Sequence, residues 1–381
     1  MDKKFVMGIA AMAALTLVSC SSDDLDSFSG DSSKNEAISF DGYLGRSAVA
    51  VNGTRGSEVK IGNLQTDGFG VFGYHNTTEH SSETEQSFNA NLFNNQQVTY
   101  KNSKWTYSPL KFWPSDGHID FLAYAPYDKS TTLTDGSKIN NFIVDKDIAK
   151  QKDLLWTNDM NHQITANITS AKEKVKFQFH HALSRLGYTV KLTGDYSSDD
   201  VTFTLKKITL AGSPDETKGA FYESGTIDLS KANKDANLWS GQTGQQKFNW
   251  FSGDYQVKSS TASHPDSNIE KDKDYLFVIP QNFPEKIEDP DHSGQQIDNP
   301  DKLYVIVEYE VTYKKGTQTS ITNKVYKRLT TNFLQGTAYN LNLTVGLPIE
   351  FDVNVGIDAG VDGWGTDQDI NIGSNDTPWE R

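Results

Sequence analysis

The feature that most constrains the fold is a series of short segments in which apolar and polar residues alternate. Alternation with a period of two places the apolar side chains on one face of a β-strand. The segments end near Gly, Asn, Asp, Pro or Ser, the residues that favour turns. They are 5 to 11 residues long and cover 38–44, 69–74, 97–107, 119–124, 175–179, 186–192, 201–210, 275–279, 303–313, 323–329, 339–345 and 349–355.

These segments predict an all-β protein, with a helical turn expected only around 181–185. Many short strands without intervening helices are typical of antiparallel sheets packed as sandwiches or barrels. The chain has 381 residues, and a single sandwich rarely exceeds about 150 residues, so we expect two tandem β-sandwich domains. The turn-rich stretch 211–219 predicts a boundary between domains at 37–212 and 213–381, and 284–300 is predicted to be a long surface loop.

The first 20 residues have the organisation of an exported lipoprotein precursor. Two lysines precede an apolar run at 5–18, which is too short to span a bilayer and has the length of a signal-peptide core. Ser19 is a small residue directly before Cys20, the only cysteine of the chain, as in the lipobox of bacterial lipoproteins. We therefore predict that residues 1–19 are a signal peptide and that Cys20 carries the lipid.

Residues 20–36 are polar and acidic without apolar periodicity, and we predict a flexible tether. Asp23 and Asp24 either resemble the signal that sends some Gram-negative lipoproteins to the outer face of the outer membrane or belong to a solvated spacer. The whole chain has 36 basic and 50 acidic residues; without 1–19 the balance is 34 against 49, or −15. This charge argues against nucleic acid and anionic membrane surfaces as partners and leaves the lipid as the membrane attachment.

The sequence contains no pattern of catalytic or metal-binding residues. None of its eight histidines has a metal-ligand spacing, and it has no Gly-x-Ser-x-Gly motif and no phosphate-binding glycine loop. His180 and His181 would point to opposite faces of a strand and are interpreted as structural. The acidic run at 358–369 does not match the ligand spacing of a calcium loop. We therefore predict a protein without enzymatic activity, metal or cofactor.

Four aromatic residues cluster within nine positions: Trp105, Tyr107, Phe112 and Trp113. Exposed coplanar rings would form a stacking platform for a glycan, whereas buried rings would belong to the core of a sandwich. Prolines at 109 and 114 fit a corner between strands and favour core packing. A surface lipoprotein that binds glycans through aromatic side chains is the alternative function.

Several blocks of sequence carry a family resemblance through their number and order. The blocks are Ile38-Ser-Phe40, Thr54-Arg55, Phe69-Gly-Val-Phe-Gly-Tyr74, Trp105-Thr-Tyr-Ser-Pro-Leu-Lys-Phe-Trp-Pro114, Ile119-Asp-Phe-Leu-Ala-Tyr-Ala-Pro-Tyr127, Lys152-Asp-Leu-Leu-Trp156, Phe179-His-His-Ala-Leu-Ser-Arg-Leu186, Phe277-Val-Ile-Pro-Gln281 and Phe333-Leu-Gln-Gly-Thr-Ala-Tyr-Asn-Leu-Asn342. Together they resemble the fimbrillin family, the lipoprotein pilins of Gram-negative anaerobes that build type V pili.

The resemblance implies both a fold and a route of assembly. The fold is two transthyretin-like β-sandwich domains in tandem, and the function is that of a fimbrial subunit or related adhesin at the outer membrane. In the family, a trypsin-like protease cuts after an arginine that follows the first strand. A strand of a neighbouring subunit then fills the groove that the lost strand leaves.

In this sequence the displaced strand corresponds to Ile38, Phe40 and Leu44, and the cut to Arg55 or, as second choice, Arg46. Glycines near Arg55 suit the flexible loop that a protease requires. The alternative is that the first strand is permanent.

The predicted donor strand lies near the C terminus. Ile349, Phe351, Val353 and Val355 share one face of a strand, and the glycine-rich stretch 356–365 would act as a hinge. The alternative is that this segment pairs with its own domain as an edge strand. The expected partners are neighbouring pilin subunits, the maturation protease, the membrane and a host or bacterial surface ligand; stalk, tip and anchor positions remain open.

Overall fold

The protein is built almost entirely from β-strands, as its sequence pattern predicts. The computed structural model describes residues 37–44, 61–77, 88–164, 174–196, 200–231, 237–265, 275–315, 317–347 and 350–357. They belong to one compact unit, residues 36–381. Besides a 3-10 helix at Ile148–Lys150, the elements up to residue 192 are β1 (Phe40–Leu44), α1 (Ile61–Asp67), β2 (Phe69–Asn76), β3 (Phe93–Lys101), β4 (Lys104–Thr106), β5 (His118–Ala125), β6 (Lys138–Ile143), β7 (Leu155–Gln163), β8 (Val175–His181) and β9 (Ser184–Leu192).

The second half of the chain contains strands only, within the ranges described. They are β10 (Val201–Ala211), β11 (Ser224–Asp228), β12 (Trp239–Thr243), β13 (Phe248–Val257), β14 (Leu276–Val278), β15 (Gln281–Phe283), β16 (Lys286–Glu288), β17 (Gln296–Asp298), β18 (Leu303–Tyr313), β19 (Thr319–Leu329), β20 (Thr331–Phe333), β21 (Ala338–Gly346) and β22 (Glu350–Ile357).

Seven strands form one sheet in the order β1-β8-β7-β5-β2-β3-β4. β1 is an edge strand that runs parallel to β8, whereas the other neighbours in this sheet are antiparallel. The central strand β5 is buried at all eight positions. Its Ile119 and Phe121 pack into one apolar cluster, and its Leu122 and Tyr124 pack into another. Apolar residues therefore occupy consecutive positions of β5 because both faces of the strand are covered.

The smaller of these clusters, here called the N-terminal core, lies against one face of the seven-stranded sheet. Its members come from that sheet, from α1 and from the adjoining connections. They are Ile38, Phe40, Leu44, Leu64, Phe69, Val71, Phe93, Val98, Trp113, Ile119, Phe121, Ala123, Ala125, Leu155, Ile164, Val175, Phe177 and Phe179.

The larger cluster joins the other face of this sheet to the remaining sheets except the β16-β17 hairpin, none of whose residues it includes. The remaining sheets have the orders β13-β10-β18-β19, β14-β9-β21-β22, β12-β11-β6, β15-β20 and β16-β17. β9 and β10 thus pair with strands that follow residue 213, and the chain changes sheets between His181 and Ser184. The division into tandem domains at 212/213 stays a prediction.

The structure corrects three local expectations from the sequence. The prediction of a helical turn at 181–185 is wrong, because β8 continues through His181 and β9 begins at Ser184. The segment 97–107 contains two strands, β3 and β4, that are joined by a tight turn. The predicted loop at 284–300 contains the hairpin of β16 and β17.

The turn at 212–219 is held by a carboxylate that bridges two strands. Glu216 accepts hydrogen bonds from Lys207 Nζ in β10 at 2.8 Å and from Lys324 Nζ in β19 at 2.7 Å. Lys247 Nζ donates to the Glu216 carbonyl oxygen at 2.8 Å. Only 10% of the Glu216 side chain is exposed, whereas the side chains of Lys207 and Lys324 are 27% and 44% exposed.

We expect Glu216→Gln to lower the free energy of unfolding by about 1 to 3 kcal/mol at neutral pH, because two charge-assisted hydrogen bonds are weakened. Burial raises the pKa of Glu216, but the hydrogen bonds from Lys207 and Lys324 outweigh it and hold the pKa below its ordinary value of 4.5. A carboxyl with a lowered folded-state pKa stabilises the fold above its unfolded pKa, and this contribution is lost as the pH falls through the folded pKa. Urea unfolding should therefore show a smaller difference between wild type and variant at about pH 3 than at about pH 7. An equal difference between wild type and variant at the two pH values would contradict the assignment of the lowered Glu216 pKa to its contacts with the lysines.

Candidate functional site

The candidate site is the groove that holds β1. The strand pairs with β8 in a parallel register from Phe40 opposite Val175 to Leu44 opposite Phe179. Alternate residues of β1 point inward, and Phe40 and Leu44 are 2% and 4% exposed. Tyr43 points outward and is 41% exposed. The structure thus places the apolar residues predicted for a displaced strand inside the N-terminal core.

Phe40 lies at the centre of an aromatic cage. The centroid of its ring is 5.4 Å from that of Phe93, 5.8 Å from that of Phe121 and 5.5 Å from that of Phe177. The ring of Phe177 stacks on it, and the other two meet it edge to face. Such aromatic pairs contribute about 0.5 to 1.5 kcal/mol each beyond the burial of their area. Phe40 is therefore the main anchor of β1.

Gly42 occupies the inward position between Phe40 and Leu44, where the groove is shallow. A Cβ atom at this position would lie 3.0 Å from Phe69 Cε1 and 3.4 Å from Phe179 Cε2. The two phenylalanine rings therefore leave space at this position of β1 for no more than a methyl group, and only if the Phe69 ring shifts by a few tenths of an ångström. We use the name β1 groove for the five rings that line it: Phe69, Phe93, Phe121, Phe177 and Phe179.

The start of β1 is held on the side away from β8 by the segment 107–112. The amide of Ile38, which is 1% exposed, donates to the Lys111 carbonyl at 2.8 Å, and the Tyr107 hydroxyl donates to the Ile38 carbonyl at 2.6 Å. Burial raises the pKa of Tyr107, and its hydrogen bond with the Lys111 backbone opposes this rise. The Tyr107 phenol thus stays protonated at neutral pH and keeps its donor. These contacts engage backbone atoms of Ile38, just before β1, and not its side chain.

The aromatic cluster predicted at 105–113 packs mainly against this core. Trp113 is 8% exposed, and its ring lies 6.3 Å from that of Phe121. Trp105 lies 4.8 Å from Phe69, and Tyr107 contacts the rings of Phe40 and Phe93. Phe112 is 47% exposed. Among these four residues no exposed row of coplanar rings is formed, which favours core packing over a glycan platform.

The predicted donor segment forms β22 of the chain itself. β22 pairs antiparallel with β21 and is the edge strand of its sheet. Val353 and Val355 are both 3% exposed, and the outward Asp352 forms an ion pair with Lys327. The backbone of Phe351 pairs with Val345, whereas Ile349 lies outside the described residues. The chain thus adopts the edge-strand arrangement that the sequence analysis kept as an alternative.

Three predicted site residues, Cys20, Arg46 and Arg55, lie outside the residues that the structure describes. Both arginines belong to the connection between Leu44, which ends β1, and Ile61, which begins α1. Sequence periodicity had identified the apolar residues of β1. It had missed the restriction at Gly42 and the backbone contacts of Tyr107, which depend on residues distant in sequence.

Within the described ranges, no group of three or more His, Cys, Asp or Glu side chains is arranged to hold a metal ion. No helix among these residues is both long and apolar enough to cross a membrane. His181, predicted to be structural, is buried with its Nδ1 2.8 Å from Asp153 Oδ2.

Similar sequences and folds occur in known fimbrial proteins. The model of the fimbrillin-like family matches residues 54–364, in agreement with the resemblance seen in the sequence. Fimbrium subunit Fim1C of Phocaeicola vulgatus is 25% identical over 391 aligned positions, which cover 96% of this chain and 97% of that protein. The crystal structure of a fimbrial protein from Bacteroides vulgatus is 19% identical with a TM-score of 0.59, over 84% of this chain and 99% of that chain. The last comparison shows a shared fold.

Proposed function

The chain belongs to the fimbrillin-like family, and from this premise we propose that it is a structural subunit of a cell-surface fimbrium that assembles by strand exchange. The observation that carries the proposal is the position of β1 at a sheet edge, with its apolar side chains in the N-terminal core. Loss of β1 would expose the rings of the β1 groove to water. A strand from another subunit would cover them again, with backbone hydrogen bonds for affinity and alternate side chains for fit.

Proteolysis between β1 and α1 is the proposed trigger. A cut after Arg55 leaves β1 on a separate fragment that only noncovalent contacts hold in place. We prefer Arg55 to Arg46 because glycines at 53 and 56 allow the extended backbone that a protease binds. The lost fragment would also carry Cys20, so the lipid anchors the subunit at the outer membrane before assembly and is released with β1 during maturation.

An adhesin that binds glycans through the cluster at 105–113 is less well supported. Trp105, Tyr107 and Trp113 pack against the N-terminal core and form no open row of coplanar rings. Adhesion would therefore use another surface of the subunit or of the assembled fimbrium.

Limited trypsin digestion of a purified chain that starts at Ser21 tests the proposal. A cut after Lys34 in the predicted tether leaves β1 in place. We expect one early product that has lost β1; it starts at Gly56, or at Ser47 in an Arg55→Ala variant. The product should assemble, whereas the undigested chain stays monomeric. Intact-mass spectrometry identifies the products, and light scattering after size-exclusion chromatography measures assembly.

Two results would count against the proposal. An early cut beyond Lys60 contradicts a processing loop after β1. A correctly cut product that has lost β1 and stays monomeric contradicts strand exchange. Mass spectrometry of protein extracted from cells would separately distinguish a chain that begins at lipidated Cys20 from a processed chain.

A further inference from the structure

The β1 groove accepts side chains in a defined order of sizes. Ile38 lies two residues before β1 and is buried in the same core as the inward residues of the strand. Counted with it, the inward places of β1 are Ile38, Phe40, Gly42 and Leu44, which is the order apolar, large, small, apolar. At the third position, a Cβ atom would lie 3.0 Å from the Phe69 ring, and the ring would have to give by a few tenths of an ångström. A methyl group requires only this small shift of one ring, whereas a branched side chain would require larger shifts of a packed core.

We infer that the strand that replaces β1 is the segment 355–361 of a second copy of this chain, an inference that rests on the proposed function. Val355, Ile357, Ala359 and Val361 then take the four inward places of β1 in order. Ala359 stands where the groove has room for no more than a methyl group. The segment therefore reproduces the size order of the strand that it replaces.

No other register within residues 347–381 meets this requirement in either chain direction. The register that begins at Ile349, which periodicity alone favours, places Val353 at the glycine position. The register that begins at Ile370 has a serine at that position, but it places Asp376 where β1 has a buried leucine. Burial of an unpaired carboxylate there would be strongly unfavourable.

The outward and backbone contacts of β1 are also compatible with this segment. Asp41 of β1 lies opposite Lys176 of β8, and Asp358 takes the same place in the segment, so a carboxylate again faces the lysine. The Tyr107 hydroxyl binds the backbone carbonyl at the first inward position. Because every residue has a backbone carbonyl, the hydroxyl can donate the same hydrogen bond to any residue at that position.

The segment has to leave its own sheet to reach a neighbour. Its first three residues close β22, where Val355 lies opposite Leu341 and Ile357 opposite Tyr339 of β21. β22 is an edge strand, so its release breaks a single ladder of backbone hydrogen bonds. Edge elements are the parts of a sheet that open most readily.

Truncation after Ile357 is the first test, because it keeps every strand that the structure describes. We expect the trypsin-cut truncated chain to stay monomeric, since Ala359 and Val361 are missing. The register that begins at Ile349 would retain all four of its inward residues. Assembly equal to that of the full chain would overturn the inference.

Ala359→Leu and Ala359→Gly form a matched pair in the full-length C terminus. Leucine should overpack the groove and lower the apparent association constant of the cut subunit about tenfold or more, whereas glycine, the residue of β1 itself, should retain assembly. Equal assembly of the two variants would overturn the inference, because it would show that Ala359 does not lie beside Phe69.

Disulfide cross-linking reads the register directly, because the chain from Ser21 onward contains no cysteine. Opposite positions on neighbouring strands are within disulfide reach. Lys176→Cys combined with Asp358→Cys should give an interchain disulfide after assembly, whereas Lys176→Cys combined with Asp352→Cys should not. If the combination with Asp352→Cys forms the disulfide and the one with Asp358→Cys does not, the register beginning at Ile349 is supported and the inference is overturned. If the cut wild-type subunit instead stays monomeric, the proposed function itself fails, and the two failures are distinguishable.

Discussion

Phe40→Ala is expected to lower the free energy of unfolding by about 3 to 5 kcal/mol. The side chain is 2% exposed, and the rings of Phe93, Phe121 and Phe177 surround it. Removal of the ring loses its transfer free energy and leaves a cavity, because the three surrounding rings are themselves fixed by the N-terminal core. Urea unfolding followed by tryptophan fluorescence measures the change.

Tyr43→Ala is the matched control on the same strand. Tyr43 points outward and is 41% exposed, so its replacement should change the free energy of unfolding by no more than about 0.5 kcal/mol. A similar loss in both variants would contradict the assignment of Phe40 as the anchor of β1.

The same variant also tests whether β1 opens separately from the rest of the fold. Local opening needs less free energy than global unfolding where few contacts are broken, as at an edge strand. Phe40→Ala should therefore accelerate trypsin cleavage between Leu44 and Ile61 under native conditions. If global stability falls while this cleavage rate stays that of wild type, β1 is not independently releasable.

The extent to which the fold follows from sequence depends on how far apart the interacting residues lie. The apolar alternation at 303–313 predicts β18 residue for residue. The break between β3 and β4 had a local signal as well: Asn102 and Ser103 both have positive φ, and Asn tolerates this conformation better than most residues. β6 was missed because its exposed and half-buried side chains give no clear period, and its neighbour β11 begins more than 80 residues later, at Ser224.

The candidate site was predictable to a similar degree. The period of two revealed that Ile38, Phe40 and Leu44 share a face. The shallow position at Gly42 is created by Phe69 and a second ring, which sequence periodicity cannot place. For the same reason, periodicity favoured a donor register beginning at Ile349, whereas the sizes allowed by the groove favour the one beginning at Val355.

Asp153→Ala is expected to cost about 1 to 3 kcal/mol of unfolding free energy, because it removes the carboxylate that a buried imidazole contacts. Asp153 Oδ2 lies 2.8 Å from His181 Nδ1, and both side chains are fully buried. The comparable pair of Asp289 and His292 is a control, since its atoms are 3.0 Å apart but the histidine side chain is 66% exposed. Asp289→Ala should cost no more than about 1 kcal/mol.

The position of the buried pair connects its stability to the β1 groove. His181 is the last residue of β8, the strand that pairs with β1, and it lies opposite Leu155 of β7. Loss of the Asp153 carboxylate should loosen the end of β8, so that Asp153→Ala also accelerates trypsin cleavage after β1. Urea unfolding and native-state digestion measure the two effects separately. A variant that unfolds within about 1 kcal/mol of wild type would show that the pair contributes no more than an exposed one. If Asp153→Ala lowers the free energy of unfolding but does not accelerate cleavage, the pair stabilises the larger core and not the end of β8.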